Sequence, residues 1–183
     1  MSTDVIGTDL VAGTWNIDAA HSEVAFTVRH LMSKVRGTFS SFTGTVTTRS
    51  SDPTDASVEV SIDTTSVSTN NEQRDGHLRS GDFFSVENTP ELKFVSTGIT
   101  GDADGYVITG DLTIKGVTTS VDLSAEFFGV AGDAYGSTRL GAEASTTINR
   151  KDFGIDFNVP LDGGKLLIGD KVDIHLAVEA VRA

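Results

Sequence analysis

The chain has no cysteine among its 183 residues. That excludes disulfides, thiol nucleophiles and Cys-based zinc sites. Proline occurs three times and tryptophan once. No stretch approaches the 18 or so apolar residues of a spanning helix. The first residues, from Met1 to Trp15, have neither a basic start nor an apolar run, so no secretory signal is expected and the cytoplasm is the default compartment. Basic residues are also scarce, 14 Lys and Arg against 26 Asp and Glu, for a net charge of −12. An acidic surface repels phosphate backbones, so nucleic acid is not an expected partner, and anionic membranes are disfavoured on the same ground.

What is abundant is the chemistry of strands and turns. Glycine occurs 19 times and phenylalanine 10 times, with many Thr, Ser and Val. Apolar residues recur with period two, which marks half-buried strands. Trp15 and Ile17 open the pattern, then Val24, Phe26 and Val28, then Val58, Val60 and Ile62, then Leu92 and Phe94. Four long runs follow, over 106–114, 121–127, 140–148 and 172–180. The phase breaks in 37–48, where Phe39 and Phe42 fall on opposite parities, and a bulge or bend near Ser40-Ser41 is predicted. Turn residues at 101–105, 115–117 and 132–136 leave no room for crossovers, so neighbouring strands are antiparallel. One helix is predicted over 70–80, with Thr69 and Glu72 as a capping box and Gly81 as its stop. The stretch 150–168 reads as a long surface loop.

About eight strands and one short helix predict an all-β fold, an eight-stranded antiparallel barrel, because closure removes the edges that an open sheet leaves unpaired. Such a barrel is wide enough for one small ligand. Residues 1–12 are expected to be a flexible segment and 13–183 a single domain.

Few residues point to catalysis or metal binding. His21, His30, His77 and His175 show no ligand spacing, and His175 falls on the outward parity of its strand. Asp102-x-Asp104-Gly105 starts like a calcium loop, but its twelfth position is Thr113. Nucleophile-elbow, phosphate-loop and dinucleotide motifs are absent from the sequence. An enzyme would have to draw on His21, Asp75 and His77 as acid-base groups, and no enzyme is expected. The inward positions instead form an apolar wall: Phe26, Val28, Val60, Ile62, Phe94, Leu112, Ile114, Phe127, Ile148, Ile174 and Leu176, with Phe39, Phe42 and Phe83 at a mouth or bend. The cluster Arg74, Asp75, His77, Arg79 gathers basic groups on the helix, and Arg74 and His77 are candidate head-group contacts.

The order of motifs resembles the YceI-like family of lipocalin-like, polyisoprenoid-binding proteins. The carriers are Trp15-Asn16-Ile17-Asp18 with His21-Ser22, Gly37-Thr38-Phe39, and Gln73-Arg74-Asp75-x-His77-Leu78-Arg79 with Asp82-Phe83-Phe84. Later carriers are Gly110-x-Leu112-Thr113-Ile114-x-Gly116, Asn149-Arg150-x-Asp152-Phe153-Gly154 and Ile168-Gly169-Asp170. The resemblance spans roughly 13–181. It implies an extended barrel around an apolar tunnel, a polyisoprenoid, quinone-like or amphiphilic lipid as ligand in place of any catalytic cofactor, and a homodimer. Many members resemble exported periplasmic proteins, and the expectation of no leader sets this chain apart from them.

Overall fold

The computed structural model describes residues 10–183. Eleven strand segments follow one another: β1 Gly13–Ile17, β2 Glu23–His30, β3 Ser33–Phe39, β4 Phe42–Thr48, β5 Ser57–Asp63, β6 Val67–Ser68, β7 Glu91–Asp102, β8 Gly105–Ile114, β9 Val117–Gly132, β10 Thr138–Asn149 and β11 Ile168–Arg182. One helix, α1 Glu72–Arg79, lies between β6 and β7. All pairings are antiparallel, and the order β1-β4-β5-β7-β8-β9-β10-β11 returns to β1. β2 pairs with the earlier half of β11, β3 with β2, and β6 with β3.

The segments therefore make eight staves, three of them broken. β1 and β2 share β11 as partner, at Trp15↔Arg182 and Val24↔Leu176. The break between β3 and β4 falls at Ser40-Ser41, where the phase change predicted it. Breaking a strand there turns Phe39 and Phe42 toward the same interior, and both are buried. The eight-stranded antiparallel barrel expected from the alternation is the observed fold.

Two apolar clusters fill it. The larger one joins Phe39, Phe42, Phe94, Leu112 and Phe153 with inward residues from every stave. The smaller one, Leu10, Trp15, Leu140 and Ala180, closes the end where the described chain begins, at Leu10, and where Ala183 lies. Most of the segment expected to be flexible lies outside the described residues, but Leu10 is buried in this cluster. Trp15 is fully buried and its indole donates to Thr48 Oγ1 at 2.9 Å, so its one polar atom is satisfied in a dry site.

Three local expectations are corrected. The helix cap is Asn71, whose side chain accepts from Arg74 N, and not Thr69. Thr69 is taken by Asp75 instead, which accepts from both its amide (2.8 Å) and its hydroxyl (2.6 Å). The helix stops at Ser80, one residue before Gly81. The stretch 150–168 is a surface loop only in its second half. Arg150, Phe153 and Ile155 are buried and plug the barrel end opposite the termini.

Candidate ligand-binding site

The barrel encloses an apolar cavity of about 280 Å³. Its walls run from Leu10 and Tyr106 near the termini to Phe83, Phe153 and Ile155 at the plugged end. All fourteen apolar positions named from the sequence line it. Phe26 and Val28 come from β2, Phe39 from β3, Phe42 from β4, Val60 and Ile62 from β5, and Phe94 from β7. Leu112 and Ile114 come from β8, Phe127 from β9, Ile148 from β10, and Ile174 and Leu176 from β11. Phe83 reaches in from the segment after α1.

Two glycines make room for the rings. A methyl group on Gly37 would lie 2.2 Å from the Phe26 ring, and one on Gly110 would lie 2.4 Å from the Phe94 ring. The two differ in tolerance. At Gly37 the methyl meets only the far end of the Phe26 side chain, whereas at Gly110 it would also lie 2.6 Å from the Val95 carbonyl oxygen, which the β7–β8 ladder holds in place. Across the plugged end Phe26 and Phe84 both meet the Phe39 ring, each with centroids 5.6 Å apart.

Arg150 was not among the expected site residues, yet it lines the cavity and holds its floor. It is 4% exposed. Its Nη1 donates to the carbonyls of Ile155 (3.0 Å) and Phe157 (2.8 Å), and its Nε donates to Gly169 O at 2.9 Å. Nη2 faces Asp170 at 3.9 Å, too far for a hydrogen bond. Burial pulls this guanidinium below its ordinary range, and the charges of Asp170 and Asp156 oppose that. The alternation Phe153, Ile155, Phe157 inside an apparent loop was the signal for this plug.

The basic cluster on α1 does not line the cavity. Arg74 is turned back on Thr69, donating to its hydroxyl (2.7 Å) and its carbonyl (2.9 Å). His77 contacts Asp82 at 2.8 Å and packs edge-on against Phe83 and Phe157, with centroids 4.9 and 4.8 Å away. Its ring thus braces two residues that close the barrel. His21 pairs with Asp18 at 2.8 Å, and Asp75 is spent on Thr69, so the three candidate acid-base groups each have a separate partner. His175 is exposed, as its parity predicts. Tyr106, at the other end, has its phenol pushed up by burial, with the charges of Asp52 and Asp102 adding to the shift. Among the described residues, no group of three or more His, Asp or Glu is placed to hold a metal ion, and no helix is long and apolar enough to cross a membrane.

Comparison with known proteins places this geometry. The profile of the YceI-like domain matches residues 15–180. Protein YceI of Escherichia coli O157:H7 is 41% identical over 175 residues, covering 94% of this chain and 88% of that one. The UPF0312 protein plu2095 of Photorhabdus laumondii is 39% identical with the same coverage. Among solved structures, BcnA of Burkholderia cenocepacia superposes with a TM-score of 0.73 at 23% identity, over 89% of this chain and 98% of that one. The YCEI protein of Campylobacter jejuni gives 0.70 at 29% identity, over 85% and 90%. A polyisoprenoid binding domain from Saccharophagus degradans gives 0.69 at 15% identity, over 94% and 99%.

Proposed function

Because the chain belongs to the YceI-like family, we propose that its barrel binds a long apolar molecule, a polyisoprenoid, quinone-like or other amphiphilic lipid, and stores or carries it. The observation that supports this most is the continuous apolar cavity along the barrel, walled by Phe, Leu, Ile and Val from every stave. Burial alone supplies the affinity, at about 0.8 kcal/mol per CH₂ group removed from water. No bond is made or broken in this reading. The description of the Saccharophagus degradans neighbour as a polyisoprenoid binding domain agrees with it.

Native mass spectrometry of freshly purified protein, followed by organic extraction, identifies whatever the barrel holds. The critical variant is Leu112→Asp. Leu112 is buried and lines the cavity, while its neighbour Thr113 faces outward and bonds Thr118 Oγ1 at 2.7 Å. A carboxylate at 112 sits among apolar walls or becomes neutral. Water entering an empty cavity softens the cost to the fold, so we expect most lipid to be lost while the melting temperature falls by about 4–8 °C, the equivalent of about 2 kcal/mol in a domain of this size. Thr113→Asp serves as the outward control and keeps the lipid. Full lipid retention by a folded Leu112→Asp protein would place the ligand elsewhere.

A further inference from the structure

At the plugged end, the β2–β3 hairpin and the loop after the plug run on together beyond the barrel. β3 pairs with β6 only at Thr38 and Phe39, then continues five residues to Ser33, about 16 Å along the strand. The hairpin loop is Leu31-Met32, flanked by the pair His30↔Ser33. Beside it lies the segment 158–168. Leu31 N donates to Leu167 O at 2.7 Å, Leu167 N to Val159 O at 3.0 Å, and Leu161 N to Lys165 O at 2.7 Å. Asn158 clamps Ile168 through both its amide and its carbonyl.

This hydrogen-bonded tip presents apolar side chains to solvent. Leu31, Met32, Val159 and Leu166 are all exposed, Met32 at 93%. Leu31 holds φ at 56°, a backbone region that Asn, Asp and Gly enter with less strain in a two-residue hairpin loop. Local structure gives no reason for leucine here, and burial gives none either.

Its charge is opposite to that of the whole chain. Segments 29–36 and 158–171 carry five Lys and Arg against two acids, Asp162 and Asp170, in a protein of net charge −12. Asp170 lies beside Lys151 and Arg150, and Arg36 pairs with Glu23. Arg29, Lys34, Lys165 and Lys171 are exposed, and none has a carboxylate partner among the described residues. Apolar residues at a projecting tip with cations behind them match a bilayer whose headgroups are negative and whose interior is apolar.

We propose that this tip docks on the surface of an anionic lipid bilayer. The net charge disfavours such a surface at long range, but screening over about 8 Å lets the local sign decide at contact. Docking stands on the tip's own composition. Its purpose, exchange of the cavity's lipid with the membrane at the plugged end, rests on the function proposed above.

The test is flotation of the full chain with phosphatidylcholine vesicles, with and without phosphatidylglycerol. Flotation is expected with the anionic vesicles and falls as salt rises. Met32→Asp with Leu166→Asp abolishes it. Arg29→Gln with Lys34→Gln weakens it by about fivefold per residue. All of these positions are exposed, so the melting temperature stays near that of the parent and shows that the variants fold. Failure of the parent to float with anionic vesicles, or unchanged flotation of the Met32/Leu166 variant, overturns docking. So does a dimer in sedimentation velocity that the Met32/Leu166 substitutions dissolve without a flotation signal, since the tip would then cover a second copy. Extraction of the same samples separates the two readings: flotation by a protein that never carries lipid supports docking and sinks the proposed ligand, and lipid carried without flotation does the reverse.

Discussion

The two ends of the barrel are closed in different ways. At the end near the termini, strands close on themselves. Trp15, Leu140 and Ala180 stand on β1, β10 and β11 and pack with Leu10, and Arg139 ties Asp18 (2.8 Å), Asp133 (2.9 Å) and Glu179 (3.0 Å) across the same rim. At the other end the closing pieces are not barrel strands. Phe83 and Phe84 come from the segment after α1, and Phe153 and Ile155 from a loop folded around Arg150. Local opening costs least where the fewest ladder bonds must break, so the second end is the one expected to open more readily.

The comparison breaks most visibly at Trp15. Trp15→Ala leaves a hole in the sealed end and removes the donor to Thr48, so unfolding by denaturant should show a loss of about 3–5 kcal/mol. Once folded, this variant should exchange lipid from its plugged end at the parent's rate. Arg150→Met comes next. It strands three carbonyls and leaves Asp170 with Lys151 alone, for a loss of about 2–3 kcal/mol. Hydrogen exchange should show 150–157 losing protection first, with faster lipid exchange; equal protection would mean that the two ends open alike. The smallest effect is the pH dependence of the Arg139 rim. The Arg139 guanidinium, then His21, holds the Asp18 carboxyl down to about 2 from its ordinary 3.8, and Arg139 also lowers Asp133. A carboxyl with a depressed folded-state value stabilises the fold above the unfolded value and stops doing so as pH falls through the folded one. The stability gap between the parent and Arg139→Leu should therefore be constant from pH 8 to about 5 and close toward pH 2. A gap that persists at pH 2 would assign Arg139 a packing role instead.

Much of this was legible because a barrel wall repeats one rule. Each stave puts every second side chain inside, so parity alone placed Phe94, Leu112 and Ile174 on the cavity. Parity also located the break at Ser40-Ser41, where the rule fails. It was silent on Arg74, whose basic charge suggested a ligand but whose guanidinium is drawn to Thr69, a residue made available when Asn71 took the cap. It was misread at Phe153, Ile155 and Phe157, where nearby Gly and Pro suggested a surface loop. What folds that segment inward is Arg150, through bonds to carbonyls that carry no side-chain signature.

The meander has a kinetic consequence. From β8 to β10 every stave pairs with its predecessor in the chain across a short turn, so these hairpins form from local contacts. The last seam joins Trp15 to Arg182, with Ala183 N donating to Thr14 O at 2.8 Å. Almost the whole polypeptide must be ordered before that loop of chain closes, and closure entropy makes such contacts late and slow. Until it closes, β11 offers a long unpaired edge, which is also a site for pairing with another chain. Because the seam sets Thr14 against Ala183, a peptide link between those two segments would turn the slowest encounter into a local one.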